Sequence, residues 1–129
     1  MLRKFCGVLL LAFSAAACHQ QGAGAAGSSS ANLITQDQID SSDASNVYDV
    51  IARLRGNYLR DRGKVSILGN QHDSPVVFLN DQEYGIPETM RNIPRSRVSE
   101  IRFFSGTDAG ARFGAQYGGG VIQLISRNQ

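Results

Sequence analysis

His72, Asp73 and Ser74 stand side by side in the chain, and these three residue types form the catalytic triad of many hydrolases. A working triad needs its side chains to converge in space with a defined geometry, which neighbours in a turn do not achieve. Residues 70–74 are typical of a turn surrounded by water. We therefore predict no hydrolase site here, and the acidic residues elsewhere are too scattered to suggest acid–base catalysis.

Metal and phosphate chemistry is equally unsupported by the spacing. The two histidines, His19 and His72, do not make a metal-ligand set together with Cys18. The glycine-rich part at residues 106–120 lacks the Gly-Lys-Ser/Thr of a phosphate-binding P-loop. We expect a chain that is not an enzyme and that uses no metal and no cofactor.

The first 17 residues have the pattern of a signal peptide. Arg3 and Lys4 form a basic start, residues 5–13 are an apolar run, and residues 14–17 are small. The apolar run is too short for a transmembrane helix, which needs about 20 such residues. We therefore predict that residues 1–17 are removed on export.

Cys18 follows the small residues directly, as in the lipobox of a bacterial lipoprotein. Its thiol would then carry a diacylglycerol that anchors the mature chain to a membrane. Cys6 lies in the predicted signal peptide, so the mature chain is left with one cysteine and no internal disulfide. The alternative is cleavage after Ala15 or Ala17, which would leave a soluble periplasmic protein.

The charge of the chain depends on this processing. There are 13 Lys and Arg residues against 11 Asp and Glu residues. Loss of Arg3 and Lys4 with residues 1–17 leaves 11 basic residues against the same 11 acidic ones. A balanced charge gives no argument for nucleic acid as a partner, because such binding needs a concentrated basic face.

Residues 18–31 are mostly Gln, Gly, Ala and Ser and predict a flexible tether that reaches on the order of 20 Å. His19, rather than Asp, follows Cys18, and this favours the outer over the inner membrane in the sorting of Gram-negative lipoproteins. We expect an outer-membrane lipoprotein that faces the periplasm, with its folded domain at residues 32–129.

Two short helices are predicted at the start of the domain. Thr35 has the capping-box spacing, and a helix to about Ser41 should follow it. Residues 46–54 place apolar side chains at i, i+3, i+4 and i+7, which is typical of a helix with one buried face. Either Asp43 or Ser45 can provide the N-cap of this second helix.

Strands are predicted from runs of β-branched and aromatic residues at 65–68, 76–79, 101–104 and 121–125. The run at 76–79 is continuously apolar, as expected for a strand that is buried on both faces. Residues 88–92 favour a helical turn, and a glycine-rich connection joins the last two strands. This order predicts an α+β domain with a mixed sheet of about four strands and two or three short helices.

Taken in order, the motifs of the domain resemble the plug domain of TonB-dependent outer-membrane receptors. The similar segments are residues 34–39, 54–56, 66–69, 75–81, 93–94, 98–106, 111–114 and 119–127. The last of them is similar to the Gly-Gly-Val-Ile-Asn-Ile-Ile-Thr-Lys that closes a plug. The resemblance implies a structural role for five glycines: Gly106, Gly114, Gly118, Gly119 and Gly120.

A receptor plug contributes loops that contact the ligand, and it gates a channel. The resemblance therefore implies contact loops near residues 70–74, 82–87 and 107–110. The candidate contact residues on these loops are Asn70, Asp73, Tyr84 and Asp108.

Three positions that are charged in the family differ in this chain. Leu68 and Ser105 stand where the family has Arg, and Arg102 stands where it has Glu. In the receptors such residues face charges on the inner wall of a barrel, and a buried charge without a partner is costly. Their loss is expected in a stand-alone plug-like domain that has no barrel of its own. Ordinary drift at exposed positions is the alternative.

These expectations describe a non-catalytic outer-membrane lipoprotein that acts as a periplasmic binding or accessory module. Its partners would be the membrane, through the lipid anchor, and either an outer-membrane barrel protein or a second copy. Exposed strand edges would provide the contact. The alternative function is the plug component of a split or truncated TonB-dependent transporter for siderophore, vitamin or oligosaccharide uptake.

Overall fold

The computed structural model describes residues 31–61 and 73–128. Several predictions from the sequence lie outside the described residues. They are the signal peptide at residues 1–17, Cys18 and nearly all of the tether, the strand at residues 65–68 with Leu68, the contact residue Asn70, and His72.

The described residues form a mixed sheet with helices on both of its faces, which confirms the α+β prediction. The strands are β1 (Leu33–Ile34), β2 (Val76–Leu79), β3 (Gln82–Gly85), β4 (Val98–Phe104) and β5 (Val121–Ser126). The α-helices are α1 (Gln36–Ser41), α2 (Val47–Arg55) and α3 (Gly106–Phe113). Short 3₁₀ turns occupy Gly56–Leu59, Pro87–Asn92, Arg95–Arg97 and Ala115–Tyr117.

The strand order across the sheet is β1-β4-β5-β2-β3. β2 runs parallel to β5, and the other neighbouring strands are antiparallel. We name the two ends of the sheet after β5, as the Val121 end and the Ser126 end. The start of β4 and the turn between β2 and β3 therefore lie at the Ser126 end. The start of β2 and the finish of β4 lie at the Val121 end.

Helices α1 and α2 cover the first face of the sheet, where they bury most of the apolar core. Alternate residues of the inner strands point to this face: Val77, Ile101, Phe103, Ile122 and Leu124. The ring of Tyr58 stacks on that of Phe103, with centroids 4.5 Å apart and an interplanar angle of 9°. This stack joins the 3₁₀ turn after α2 to the sheet.

The second face is covered by α3 and by the 3₁₀ turn that follows it. A smaller aromatic cluster packs there, with Phe78 of β2 against Phe113 at 4.8 Å and against Tyr117 at 5.4 Å between ring centroids. Because helices lie on both faces, β2 is buried on both, and its continuous apolar run is explained. The prediction for residues 76–79 is thereby confirmed.

The starts of the first two helices follow the capping rules. The Thr35 N–H donates to Gln38 Oε1 at 3.1 Å, which is the reach-back expected of a capping box. In α2, however, the N-cap is Asn46 and not Asp43 or Ser45, because Asn46 Oδ1 accepts from the Asp49 N–H at 2.9 Å. The prediction of that cap was therefore wrong, by three residues for Asp43 and by one for Ser45.

The glycine-rich connection between β4 and β5 contains a helix, α3, which the sequence analysis had not predicted. Its two glycines, Gly106 and Gly110, lower the intrinsic helix propensity. Packing compensates, because Ala109 is fully buried and Phe113 joins the aromatic cluster. Tertiary contacts therefore decide the conformation of this segment.

Candidate functional site

The predicted contact residues fall at different places on the domain. Asp73 lies just before β2 and Asp108 lies just after β4, so both are at the Val121 end of the sheet. Tyr84 lies in the outermost strand, β3, and its side chain lines a cavity with residues of the Ser126 end. The structure therefore brings Asp73 and Asp108 to one end and directs Tyr84 away from them.

Two of the three segments that were predicted to be contact loops are regular secondary structure instead. Residues 82–85 are strand β3, and residues 107–110 are the first turns of α3. Strand β3 escaped prediction because Gln82 and Glu83 are polar, so the strand lacks the alternation of a half-buried one. In α3, the side chain of Asp108 is occupied locally, since its Oδ2 accepts from Ser105 Oγ at 2.7 Å.

The glycines implied by the resemblance shape the backbone around α3. Gly114 and Gly120 have φ of 122° and 104°, a region that side chains rarely adopt. Gly106 is needed for a different reason, because a Cβ there would lie 2.0 Å from the Gly118 carbonyl oxygen. Gly118 has an ordinary φ of −59°, and Gly119 is buried. These placements describe scaffolding around the aromatic cluster.

The outer edge of β3, followed by Ile86, is the most exposed apolar feature of the described residues. We call residues 82–86 the β3 edge. Its Tyr84 is 43% exposed and its Ile86 is 59% exposed, and these are the two large hydrophobic side chains that the described part of the chain leaves exposed. Because β3 is the terminal strand of the sheet, its outer side has no strand partner among the described residues.

Hydrogen bonds from the second face and from β5 hold the β3 edge and the turn before it. The phenol of Tyr117 donates to Glu83 Oε2 at 2.7 Å across the second face. Gln123 Nε2 donates to the Asn80 carbonyl oxygen at 2.8 Å and so ties β5 to the β2–β3 turn. Asn80 takes φ of 57°, and its Oδ1 accepts from the Ser126 N–H at 3.0 Å. The β2–β3 hairpin is therefore tied to β5 at its turn and to the second face at Glu83.

A cavity of about 640 Å³ opens beside Tyr84 at the Ser126 end of the sheet. We call it the Tyr84 cavity. Its described lining combines apolar, amide and basic side chains and includes no acidic residue: Leu79, Tyr84, Asn92, Ile93, Pro94, Arg97, Val98, Ser126, Arg127 and Asn128. It has two charged members. Arg97 lies outside the segments named above, and Arg127 ends the segment at residues 119–127, where it was not predicted as a site residue.

Arg127 is held at the cavity by several contacts. Its Nη2 donates to Asp40 Oδ1 at 2.9 Å and to the Val98 carbonyl oxygen at 3.3 Å. The hydrogen bond from Arg127 lowers the pKa of the Asp40 carboxyl below its ordinary value. Arg127 Nε is buried and has no hydrogen-bond partner among the described residues. The contacts with Asp40 and Val98 therefore fix the guanidinium of Arg127, a residue that lines the cavity.

A second groove of about 530 Å³ lies where β1, β4 and α3 meet. Its lining carries Glu100 and Asp108 against Arg102 and Arg112, so its charges balance. Arg102 is ion-paired with Glu100 on the same strand. This groove accordingly has no charge preference of the kind seen at the Tyr84 cavity.

Comparison of the chain with protein-family models, with curated proteins and with solved structures finds no match. Within residues 31–61 and 73–128, no three His, Cys, Asp or Glu side chains are grouped so that they could hold a metal ion. No helix in that same part of the chain has the length and apolar character needed to cross a membrane.

Proposed function

We propose that this chain is a non-catalytic binding module of the bacterial outer membrane. It is anchored by a lipid on Cys18 and faces the periplasm, and its plug-like domain takes an extended segment of a partner protein alongside β3. The observation that carries the proposal is the β3 edge, where the two exposed large hydrophobic side chains, Tyr84 and Ile86, adjoin an outer strand side without a described partner.

An unpaired strand edge presents a row of free N–H and C=O groups, which is a template for an added strand. Proteins that avoid such pairing place Lys or Pro on the edge, and neither occurs in residues 82–86. The one charge on β3, Glu83, is turned to the second face by its bond with Tyr117. Main-chain hydrogen bonds would supply affinity, and Tyr84 and Ile86 would supply apolar contacts.

The resemblance to receptor plugs supports this proposal, because a plug works enclosed by a partner sheet. The partner would be an outer-membrane barrel protein or a second copy of this chain. The alternative is the plug component of a split TonB-dependent transporter. A barrel gene adjacent to this one, together with altered uptake of siderophore, vitamin or oligosaccharide after deletion, would favour the transporter.

The anchor is tested with a single substitution. Cys18→Ser should release the protein from the membrane fraction and abolish its labelling by a radioactive fatty acid. Cys6→Ser is the control, since the predicted processing removes that residue. Unchanged membrane partition of Cys18→Ser would contradict the lipid anchor.

The edge is tested in cells with a photo-crosslinking amino acid placed at Ile86 of the full chain. We expect a crosslinked species at this position. The same amino acid at Arg53, which is exposed on α2, is the control and should give none. If Ile86 yields no crosslink while the purified protein stays monomeric, the binding-module proposal is overturned.

A further inference from the structure

We infer that the Tyr84 cavity binds a carboxylate that is carried on an apolar body. This goes beyond the proposed pairing at the β3 edge and does not depend on it. The inference rests on the size of the cavity, on its apolar lining and on an excess of positive charge at its rim.

The dimensions suit a small ligand or the last residues of a peptide. A volume of about 640 Å³ falls within the range of roughly 300–1,000 Å³ that is usual for ligand pockets. Val98 is fully buried and Ile93 nearly so, and together with Leu79 they make an apolar lining. The half-exposed ring of Tyr84 adds a flat surface for an apolar group.

The charge at the cavity comes from two arginines that the backbone holds side by side. The Arg127 N–H donates to the Arg97 carbonyl oxygen at 2.8 Å. Asp40 is the one described carboxylate in ion-pair contact with either arginine, and it contacts Arg127. Among the described residues, two cations against one anion leave one positive charge in excess.

This balance favours a monoanion. A carboxylate is planar and accepts hydrogen bonds from a guanidinium at both of its oxygens. Arg97, whose side chain is exposed, lines the cavity and is placed to make that contact. The amides of Asn92 and Asn128, which also line the cavity, add neutral donors and no charge.

The same chemistry is available from two sources, a free carboxylic acid and the C-terminal residue of a peptide. The test uses a probe for each source, 4-phenylbutyrate and N-acetyl-Ala-Phe. Each is compared with its own amide, which keeps the apolar body and removes the charge. Binding to the purified full chain is followed by calorimetry and by ligand-observed NMR.

We expect at least one acid to bind and its amide to bind about tenfold or more weakly, since a charged hydrogen bond is lost. Arg97→Gln should weaken binding of the acid by a similar factor and should make the acid and the amide alike. Arg53→Gln removes an exposed arginine of α2 and is the matched control, for which affinity should not change. Circular dichroism of both variants checks that the fold is kept.

Binding of the phenylbutyrate alone would identify a free acid as the source, and binding of the peptide alone would identify a C-terminus. The inference is overturned if neither acid binds, if acid and amide bind equally, or if Arg97→Gln binds like the wild type. Crosslinking at Ile86, measured separately in the Arg97→Gln background, reports on the β3 edge. The binding measurements therefore test the Tyr84 cavity, the crosslinking tests the β3 edge, and either proposal can fail while the other holds.

Discussion

The backbone N–H of Arg127 donates a 2.8 Å hydrogen bond to the carbonyl oxygen of Arg97, just beyond the last paired residues of β4 and β5. This bond extends the antiparallel ladder past the ends of both strands and fixes two arginines beside the Tyr84 cavity. The side chain of Arg127 then reaches Asp40 at the end of α1. One of the two arginines at the cavity is thus ion-paired with helix α1, which covers the first face of the sheet.

The Asp40–Arg127 pair should make the domain sensitive to acid. The hydrogen bond from Arg127 lowers the pKa of Asp40 in the folded state, so its contribution to stability is present above the ordinary value of about 4 and is lost as the pH falls through the lowered one. Asp40→Asn should therefore unfold at a lower temperature than wild type at pH 7, and this difference should shrink on acidification. Thermal unfolding between pH 7 and pH 2 measures it.

Asp43→Asn is the control for this series, because Asp43 is exposed in the connection between α1 and α2. Its unfolding temperature should follow the wild type across the whole range. A constant difference between Asp40→Asn and wild type at all pH values would show that the pair does not cause the acid sensitivity.

The sequence alone predicts those helices and strands whose residue patterns lie within a few neighbouring positions. The bounds of β2 were predicted to the residue, because four consecutive apolar side chains indicate a strand covered on both faces. The capping box at Thr35 and the apolar face of α2 likewise depend on spacing within a few residues. Each of these signals lies within one short segment of the sequence. It could therefore be recognised without knowledge of the tertiary structure.

The features on which the proposed function and the proposed ligand site rest are less local. Strand β3 has polar residues because it lies at an edge, and besides its pairing with β2 it is held by a bond between Tyr117 and Glu83, which are far apart in sequence. The Tyr84 cavity likewise arises where the β2–β3 hairpin, the turn before β4 and the end of β5 meet. Neither Arg97 nor Arg127 has a spacing that would mark it, so the site could not be predicted from the sequence.

The close approach of Gly106 to Gly118 predicts a large effect for a single methyl group. In Gly106→Ala the added Cβ would lie 2.0 Å from the Gly118 carbonyl oxygen, so the backbone must shift. We expect the free energy of unfolding to fall by about 1–3 kcal/mol, as is typical of overpacking. Denaturant unfolding monitored by circular dichroism measures this change.

Gly56→Ala is the matched control, since nothing lies within 4 Å of an added Cβ there and the φ of −55° suits any residue. It should leave stability unchanged or raise it by about 0.4–1 kcal/mol, because the unfolded chain loses conformational freedom. Equal losses in the two variants would argue against the contact between Gly106 and Gly118.

Tyr58 should give the domain a pH dependence in alkali. Burial raises the pKa of its phenol in the folded state, so ionisation of the unfolded chain above about pH 10 favours unfolding. Tyr58→Phe keeps the stack on Phe103 but removes the hydroxyl that donates to the Ala31 carbonyl oxygen, at a cost of about 1 kcal/mol at pH 7. Above pH 10 its stability should decline less steeply than that of wild type.

The stability of Tyr58→Phe should still decline somewhat above pH 10, because the hydrogen bond to Glu83 raises the pKa of Tyr117 as well. Tyr84→Phe removes an exposed hydroxyl and serves as the control. Urea unfolding at pH 8 to pH 11 distinguishes the variants. If Tyr58→Phe and wild type declined in parallel, the burial of Tyr58 would not be the source of the effect.

Ser105 is one of the three positions at which the resemblance to receptor plugs implied a lost charge, and in the structure its side chain makes local hydrogen bonds. Its Oγ accepts from the Asp108 N–H at 3.4 Å and donates to Asp108 Oδ2 at 2.7 Å, so it is the N-cap of α3. Ser105→Arg should therefore destabilise the domain by about 1 kcal/mol, whereas Ser105→Thr, which keeps a hydroxyl that can cap the helix and donate to Asp108, should preserve stability. Denaturant unfolding compares the two variants. If Ser105→Thr is destabilised as much as Ser105→Arg, the hydroxyl is not what stabilises the start of α3.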